Sequence, residues 1–248
     1  MRRFFIDPEN IVGPTAVLTG TEARHVSSVL RLSTGTKITL FDGSGSYYEA
    51  LITKTSAGRI ETKIVSIIPY IASAEDIHPA LHLGMGLLKG KKMDLIIQKI
   101  TELGVESLRP FRSRFCAAHD HAHGRLSRWQ KIALEACKQS NRPKLPELHS
   151  ISEFKNLLSE TAQNDHDLKL IFWEEQGQKT IHEIFASGDE KKSVLILIGP
   201  EGGFSTDEVK AAIAAGFQPV TLGSRILRAE TAAITAAAIL QHELGNLA

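Results

Sequence analysis

The spacing of hydrophobic residues changes near residue 70 and divides the chain into two regions. In the first region, short alternating runs of apolar and polar residues are bounded by glycine, aspartate and serine, a pattern that predicts β-strands. The predicted strands are 2–6, 37–41, 47–55 and 59–68, with turn residues typical of a hairpin at 42–45. A small β-barrel is the simplest arrangement of these strands.

One helix interrupts the strands of this region. Thr19 and Glu22 have the spacing of a capping box, in which a hydroxyl and a carboxylate satisfy free N–H groups at a helix start. Arg24 and Arg31 are seven positions apart and are therefore expected to project from roughly one side of the helix. The apolar residues that share one face at helical spacing are Val26, Val29 and Leu30.

Beyond residue 80, apolar strands alternate with helical stretches. The predicted strands are 81–87, 105–109, 168–173, 194–198 and 219–222, and the predicted helices are 93–103, 126–140, 152–162, 206–215 and 230–244. This alternation is typical of an α/β domain with a mostly parallel sheet covered by helices. The segment Pro69–Pro79 marks the expected boundary between domain 1–70 and domain 71–248.

Composition narrows the class of protein. Hydrophobic residues make up 42% and charged residues 23% of the 248 positions, which excludes collagen-like, coiled-coil and wholly disordered chains. Two cysteines are too few for a secreted disulfide framework, and the apolar run at residues 4–6 is too short for a signal peptide. No apolar stretch reaches the length of a membrane span. We therefore expect a soluble cytoplasmic protein with no membrane partner.

Charge is distributed unevenly along the chain. Residues 1–70 carry a formal charge of +2, residues 71–150 carry +5 and residues 151–248 carry −6. A polyanion such as nucleic acid would therefore bind the first two thirds of the chain. An unequally charged but merely solvated surface is the alternative interpretation.

The strongest local signal is the buried strand 194–198, which ends in a glycine-rich turn at residues 199–203, here called the first bend. A helix follows at once, and Ser205 and Glu208 have the spacing of a second capping box. In open α/β sheets ligands bind beyond the carboxyl ends of the strands, where glycines let the backbone approach a ligand. The Glu201 carboxylate suits a ribose diol, or equally the positive end of the next helix. A ligand site and a plain tight turn both remain open for this bend.

The strand 219–222 ends in a similar way. Gly223 leaves the strand, and the loop to residue 228, here called the second bend, carries the apolar residues Ile226 and Leu227. These side chains would wall a flat heterocycle or pack on a neighbouring helix. We expect the two bends to form one cleft, because the carboxyl ends of parallel strands meet at the same edge of a sheet.

Several motifs taken together resemble the RsmE family of 16S ribosomal RNA methyltransferases, in the SPOUT (trefoil-knot) superfamily. The matching motifs are RHVSSVLR from Arg24, QKITELG from Gln98, SNRP from Ser140, IGPEGGF from Ile198 and LGSRILRAETA from Leu222. They span nearly the whole chain in family order, which makes the resemblance far more specific than either bend alone.

The resemblance implies a fold, a cofactor and an assembly. The first domain would be a PUA-like β-barrel that binds RNA, and the second a SPOUT α/β domain with a deep trefoil knot. S-adenosylmethionine would be the cofactor, and the active site would be completed across a homodimer, for which the alanine-rich last helix would allow close packing. The implied cofactor-binding residues are Leu197, Gly199, Pro200, Glu201, Gly202, Leu222, Gly223, Ile226, Leu227 and Thr231.

The implied reaction is methylation of N3 of a specific uridine in the 16S ribosomal RNA of the small subunit. Because N3 must lose a proton, an arginine near the uracil oxygens could stabilise the anion, and Arg142 and Arg228 are the candidate catalytic residues. A phosphate contact and an ion pair that fixes a loop are their alternative roles, and no general base is identified. The candidate RNA-binding residues are Arg2, Arg3, Arg24, His25, Arg31, Lys89, Lys91, Lys92 and Asn141.

Two other functions are compatible with the same motifs, and one cluster of residues is unusual. A 2′-O-ribose RNA methyltransferase of the same superfamily and a non-catalytic ribosome-assembly factor would share these features. Cys116, His119, Asp120, His121 and His123 depart from the family pattern and could hold a metal, or could form a polar loop. They lack a second ligand pair of the kind zinc sites use, so we expect no metal.

Overall fold

The computed structural model describes residues 2–68, 79–116, 124–162, 166–174, 179–186 and 191–247. Its contacts divide the described residues into two compact units. The first unit contains 2–68 together with 137–145, and the second contains the described parts of 79–136 and 146–247. The change of pattern near residue 70 thus separates two units, but segment 137–145, which the sequence places in the second domain, packs with the first.

Six strands of the first unit form one sheet in the order β1-β4-β5-β6-β3-β2. They are β1 (Arg3–Phe5), β2 (Ile11–Val12), β3 (Thr15–Thr19), β4 (Lys37–Phe41), β5 (Tyr47–Ser56) and β6 (Arg59–Ile68). β1 pairs with β4 in parallel and the other pairs are antiparallel. The apolar face encloses a core that includes Phe4, Leu18, Ile38, Leu40, Ile52 and Ile60.

The helix of this unit differs from its prediction at both ends. It begins as α1 (Gly20–Arg24), and the predicted capping box is wrong, since the Thr19 side chain accepts no capping hydrogen bond. The Glu22 carboxylate instead accepts a hydrogen bond from the Lys138 ammonium, a contact that lies 116 residues away in sequence. A local motif cannot reveal a partner that distant.

The helix continues as a π-helical turn at His25–Val29, and this changes which residues share a face. The Leu30 N–H donates to the His25 carbonyl five residues back, which widens the turn. Val26 is buried, but Val29 is rotated away from it and is 66% exposed. Arg31 lies beyond the helix with φ +49°, so helical spacing does not relate it to Arg24.

Segment 137–145 is held to the first unit by backbone groups. The Asn141 carbonyl accepts hydrogen bonds from the Arg3 guanidinium at 2.9 Å and the Tyr47 hydroxyl at 3.0 Å. The Leu145 N–H donates to the Gly43 carbonyl at 3.0 Å. A Cβ on Gly43 would lie 2.1 Å from a Leu145 methyl carbon, so this glycine allows the segment to pack closely.

The second unit is built on an eight-stranded parallel sheet with the order β10-β8-β7-β13-β11-β14-β12, and β9 also pairs with β8. Its strands are β7 (Ala80–Gly86), β8 (Ser107–Arg112), β9 (Glu147–Leu148), β10 (Ser152–Glu153), β11 (Leu168–Phe172), β12 (Lys179–Thr180), β13 (Ser193–Ile198) and β14 (Gln218–Thr221). The parallel α/β class is therefore confirmed. The trefoil knot stays a prediction.

Helices cover this sheet. They are α2 (Lys92–Glu102), α3 (Arg125–Ser140, whose last residues belong to the first unit), α4 (Phe154–Ala162), α5 (Ile181–Phe185), α6 (Thr206–Ala214) and α7 (Ala229–Glu243). Residues of α4 and α6 share a buried core with Phe111, Leu195 and Leu197 of the sheet. α7 packs on α2, β7 and β13. In the described residues, no helix has the length and hydrophobicity to cross a membrane.

Candidate functional site

The carboxyl ends of three neighbouring strands enclose one cavity of about 460 Å³. β13 ends at Ile198, β14 ends at Thr221, and β11, which ends at Phe172, lies between them. Both bends line this cavity. The expectation that the two bends form a single cleft is therefore met, at the edge of the sheet where α/β domains bind ligands.

The glycines of the first bend are required by packing within the protein. A Cβ on Gly202 would lie 2.7 Å from the Phe115 Cβ and 3.1 Å from its carbonyl oxygen. A Cβ on Gly199 would lie 3.2 Å from both Gly203 and Phe204. The sequence interpretation, in which these glycines make room for a ligand, stays a prediction, and packing against neighbouring residues is a second reason for glycine at both positions. Substitution of Gly202 would disturb the segment around Phe115.

Gly86, which lies outside the first bend, makes the closest contact with the backbone of that bend. Gly86 ends β7, which pairs with β13, and its missing side chain leaves room for the turn of the first bend. A Cβ there would lie 2.4 Å from the Pro200 nitrogen and 2.9 Å from the Gly199 carbonyl carbon. Both are backbone atoms, which cannot move aside without moving the bend.

The first bend also ends in the predicted capping box, which is confirmed. The Ser205 hydroxyl accepts from the Glu208 N–H, and the Glu208 carboxylate accepts from the Ser205 N–H at 2.9 Å. The other Glu208 oxygen accepts from the Arg114 N–H at 2.8 Å. The start of α6 is thus fixed to the segment that contacts Gly202.

The Glu201 carboxylate is bound by two groups near the start of α2, and the contact with the start of α6 that the sequence allowed is not the one recorded. Its Oε1 accepts hydrogen bonds from the Lys92 ammonium at 3.0 Å and the Lys89 N–H at 3.2 Å. Burial acts to raise the pKa of Glu201, but these hydrogen bonds outweigh burial and the pKa is lowered from 4.5. The hydrogen bond to Glu201 raises the pKa of Lys92 above 10.5. The pair is therefore ionised throughout the neutral range.

The second bend is more exposed than the first. Gly223 has φ +101°, and a Cβ there would meet no atom of the described residues within 4 Å, so the observed reason for glycine is the backbone conformation. Its N–H donates to the Thr221 hydroxyl oxygen at 3.2 Å. Ile226 is 82% exposed at the cavity, so the alternative in which it packs on a helix is not realised.

Glu230 adds a second carboxylate to the wall. It lies in the first turn of α7, directly after the second bend, and lines the cavity. Its Oε2 atom is buried and has no hydrogen-bond partner among the residues that the structure describes. The nearest charge recorded for it is the Lys92 ammonium, at 3.6 Å.

Most of the predicted cofactor-binding residues line the cavity. These are Gly199, Pro200, Glu201, Gly202, Leu222, Gly223, Ile226 and Leu227. Leu197 does not, because its side chain is buried in the core with Phe111 and Ile171. Thr231 lies in the first turn of α7 with an exposed side chain and is also outside the lining.

The sequence patterns do not indicate that the end of β11 belongs to the site. Phe172, Trp173 and Glu174 line the cavity between the two bends, and Ser224 and Arg225 of the second bend line its mouth. The strand at 168–173 was predicted, but its place between β13 and β14 follows from strand order, which no local pattern encodes. Knowledge of that order would have found all three residues.

The candidate catalytic arginines lie in different units. Arg228 lines the cavity at the end of the second bend. Arg142 belongs to segment 137–145 of the first unit, where its N–H donates to the Cys137 carbonyl at 3.1 Å. Their catalytic roles stay predictions.

The candidate RNA-binding residues also divide between the units. In the first unit Arg2, Arg24, His25 and Arg31 are exposed. Arg3 and Asn141 meet, as described above, and the Arg3 guanidinium also lies 4.6 Å from the centre of the Tyr47 ring. In the second unit Lys89 and Lys91 are exposed, whereas the Lys92 ammonium is engaged by carboxylates in the cavity wall.

The cysteine and histidine cluster is only partly visible. His119, Asp120, His121 and His123 lie outside the described residues, and the Cys116 thiol donates to the Leu87 carbonyl at 3.4 Å. Within the described part of the chain, no group of three or more His, Cys, Asp or Glu side chains is arranged to hold a metal.

Two histidines meet at the start of the strands, far along the sheet from the cavity. His82 Nδ1 is hydrogen-bonded to the Ser107 hydroxyl at 2.8 Å, and His166 Nδ1 to the Ser193 hydroxyl at 2.7 Å. Their ring centres are 4.9 Å apart. Burial lowers the pKa of His82, and burial, together with the repulsion that two protonated rings would exert on each other, lowers the pKa of His166 to about 4. Both imidazoles are therefore neutral at pH 7.

The fold and the site together define a class of protein. A parallel sheet with a ligand-sized cavity at its carboxyl edge is joined to a separate β-sheet unit with exposed arginines, an arrangement suited to an enzyme that acts on a polyanion. The family described as RNA methyltransferase domain matches residues 76–241, and that described as RNA methyltransferase PUA domain matches residues 18–65. The chain belongs to this RNA methyltransferase family.

Individual relatives agree over the full length. The Bacillus subtilis protein named ribosomal RNA small subunit methyltransferase E is 30% identical, covering 98% of this chain and 97% of its own. The crystal structure of the Neisseria gonorrhoeae protein of that name, bound to S-adenosylmethionine, is 34% identical with a TM-score of 0.81, covering 98% and 97%. A Legionella pneumophila methyltransferase, also in complex with this cofactor, is 30% identical with a TM-score of 0.82, covering 97% and 96%.

Proposed function

We propose that the protein is an S-adenosylmethionine-dependent methyltransferase of small-subunit ribosomal RNA, and that it methylates N3 of a uridine in 16S RNA. The observation that carries the proposal is the single cavity formed by both bends in a chain of the RNA methyltransferase family. The relatives named for small-subunit methylation support the RNA class, and the resemblance supports the uridine target.

The cavity suits this cofactor in size and chemistry. Its volume of about 460 Å³ lies in the usual range for small-molecule sites, roughly 300–1,000 Å³. Trp173, Ile226 and Leu227 offer apolar surface for an adenine ring. The backbone of both bends offers N–H and C=O groups, and Glu174 offers a carboxylate for ribose hydroxyls or an ammonium group.

Glu174 takes the role that the sequence offered to Glu201. The Glu201 carboxylate is already bound by Lys92 and the Lys89 N–H, whereas Glu174 stands exposed at the end of β11. A ribose diol would therefore be met by Glu174, at the centre of the three strand ends.

The bound cofactor would supply a methyl group on a positively charged sulfur. The chain's own task is then to orient the acceptor and to stabilise the charge that N3 gains as its proton leaves. Arg228 is suited to that second task because it lines the cavity and carries a permanent positive charge. We keep Arg142 as a second candidate, and we propose that a homodimer completes the active site.

RNA would be held by the exposed basic residues of both units. Arg2, Arg24 and Arg31 of the first unit and Lys89 and Lys91 of the second are free to contact phosphates at the surface. Arg3 and Asn141 would act together, since the Arg3 guanidinium is fixed by the Asn141 carbonyl. Unpaired RNA is the expected target, because an N3 in a base pair is inaccessible.

The test is methyl transfer to defined RNA. The purified protein, labelled S-adenosylmethionine and small ribosomal subunits from cells that lack the gene are incubated, and the 16S RNA is mapped by mass spectrometry. We expect one uridine to gain one methyl group on the base. A methyl on a ribose oxygen would favour the 2′-O alternative. Binding of RNA without any transfer would contradict the proposal and support an assembly factor.

A further inference from the structure

One lysine joins the two walls of the cavity. Lys92, the first residue of α2, places its ammonium 3.0 Å from Glu201 in the first bend. The same ammonium lies 3.6 Å from Glu230, in the first turn of α7 directly after the second bend. The Lys92 ammonium therefore contacts both the first bend, through Glu201, and the start of α7, which directly follows the second bend.

The two carboxylates that Lys92 contacts, Glu201 and Glu230, depend on its ammonium to different degrees. Glu201 has a second donor in the Lys89 N–H. Among the described residues, Glu230 Oε2 is buried and has no hydrogen-bond partner, so its burial is offset by the Lys92 ammonium and by the positive end of α7, in whose first turn it lies. Loss of Lys92 would leave the helix start alone to stabilise the Glu230 charge, and we expect the start of α7 to move so that water can hydrate it.

We propose that Lys92 is a positioning residue that holds the two bends at the separation the cofactor requires. The proposal rests on the proposed function for the identity of the ligand. A cavity whose walls are already at the correct separation binds with less loss of conformational freedom, so the link contributes to affinity without touching the reacting atoms.

An electrostatic role makes a different prediction. The two carboxylates and the ammonium carry a formal charge of −1, and without Lys92 this becomes −2. A more negative wall would favour S-adenosylmethionine, whose sulfonium is positive, over S-adenosylhomocysteine, whose thioether is neutral. Positioning affects the two ligands alike.

The first experiment therefore titrates both ligands into Lys92→Met by calorimetry. We expect both to bind about tenfold more weakly, and Lys92→Arg to restore most of the affinity. In turnover, KM for S-adenosylmethionine should rise while kcat at saturation is retained. Unchanged affinity, or a change confined to S-adenosylmethionine, would overturn the positioning role.

The matched control is Lys99→Met. Lys99 lies on the same helix, pairs with Glu102 at 2.8 Å and has a side chain 38% exposed, against 36% for Lys92. It does not line the cavity, so its loss should leave both affinities unchanged. An equal loss in both variants would show that any weakened α2 lowers affinity and would contradict a specific link.

The second experiment needs no ligand. Amide hydrogen exchange of the free protein should be faster at residues 199–203 and 223–230 in Lys92→Met than in the wild type. In the double variant Lys92→Met with Glu230→Gln, exchange should be slower than in Lys92→Met, because the Glu230 charge is also removed. Unchanged exchange in the single variant would overturn the link whatever the wild type binds. If the wild type binds neither ligand, the proposed function fails, and exchange alone decides the link.

Discussion

The two bends that enclose the cavity are held by different means. The first is fixed by contacts: Gly86 and Gly202 leave room for backbone and for Phe115, and Glu201 accepts two hydrogen bonds. The second is held by the φ of Gly223, by two hydrogen bonds between Gly223 and Thr221 and, beyond its end, by the approach of Lys92 to Glu230, and its Ile226 is 82% exposed. The difference indicates a preformed wall facing a wall that a ligand would order.

The largest effect should come from a Cβ against the first bend. In Gly86→Ala the new atom would lie 2.4 Å from the Pro200 nitrogen, and the bend must shift. We expect a loss of roughly 1–3 kcal/mol in the free energy of unfolding, as overpacking typically costs, and loss of cofactor binding. Denaturant unfolding measures the loss of stability, and calorimetry measures the loss of cofactor binding. Wild-type affinity in this variant would show that the first bend is not a rigid wall.

The next largest effect should come from loss of the Arg228 side chain at the end of the second bend, and it should lower the reaction rate without destabilising the fold. Arg228→Ala should lower kcat about 10²-fold, since removal of one stabilising donor has that scale, with little change in unfolding free energy. Single-turnover methyl transfer measures the rate of the chemical step, and the dissociation constant for S-adenosylmethionine measures any effect on cofactor binding. A variant with normal kcat but weaker cofactor binding would assign Arg228 to the cavity wall alone.

A matched Cβ in the second bend should do less than the one at Gly86. In Gly223→Ala no atom in the described part of the chain lies within 4 Å of the new carbon, so we expect the cost of the left-handed φ, about 1 kcal/mol. Cofactor affinity should fall only a few-fold, because this wall adapts. If Gly223→Ala abolishes binding as Gly86→Ala does, the contrast between a fixed and an adaptable wall is wrong.

The smallest effect concerns pH, and it should leave both bends untouched. The folded pKa of His166, about 4, lies below its unfolded value, so the unfolded state binds more protons between pH 6.5 and 4. The free energy of unfolding should therefore fall as pH drops from 7 to 5, and His166→Gln should reduce that fall. Cofactor affinity should stay constant from pH 8 to 6, because Glu201 and Lys92 remain ionised. Weaker binding at pH 6 would show that another group which titrates near neutral pH contributes to the cavity.

The elements were largely predictable from sequence because each depends on local periodicity. β4 and β6 have the predicted bounds, and α3, α4, α6 and α7 agree within two residues. The short elements β2, β3, β9, β10, β12 and α5 were not predicted, and two local patterns in the first unit do not hold. Lys138 takes the Glu22 carboxylate that a capping box would use, and the π-helical turn exposes Val29.

The site was predictable only as far as strand ends. The glycine-rich turns after residues 198 and 222 marked both bends, but the pairing order that brings Trp173 and Glu174 between them is a property of the whole sheet. The reason for Gly202 was likewise hidden, since Phe115 is 87 residues away. The ionic link through Lys92 joins three elements that no single motif contains.

Hydrogen exchange of the wild type with and without S-adenosylmethionine can show whether both bends enclose the same ligand. One cavity shared by both bends predicts that added cofactor slows exchange together at residues 199–203, 221–229 and 172–174, with the larger gain at the second bend. Protection at only one bend, or at neither, would contradict the account.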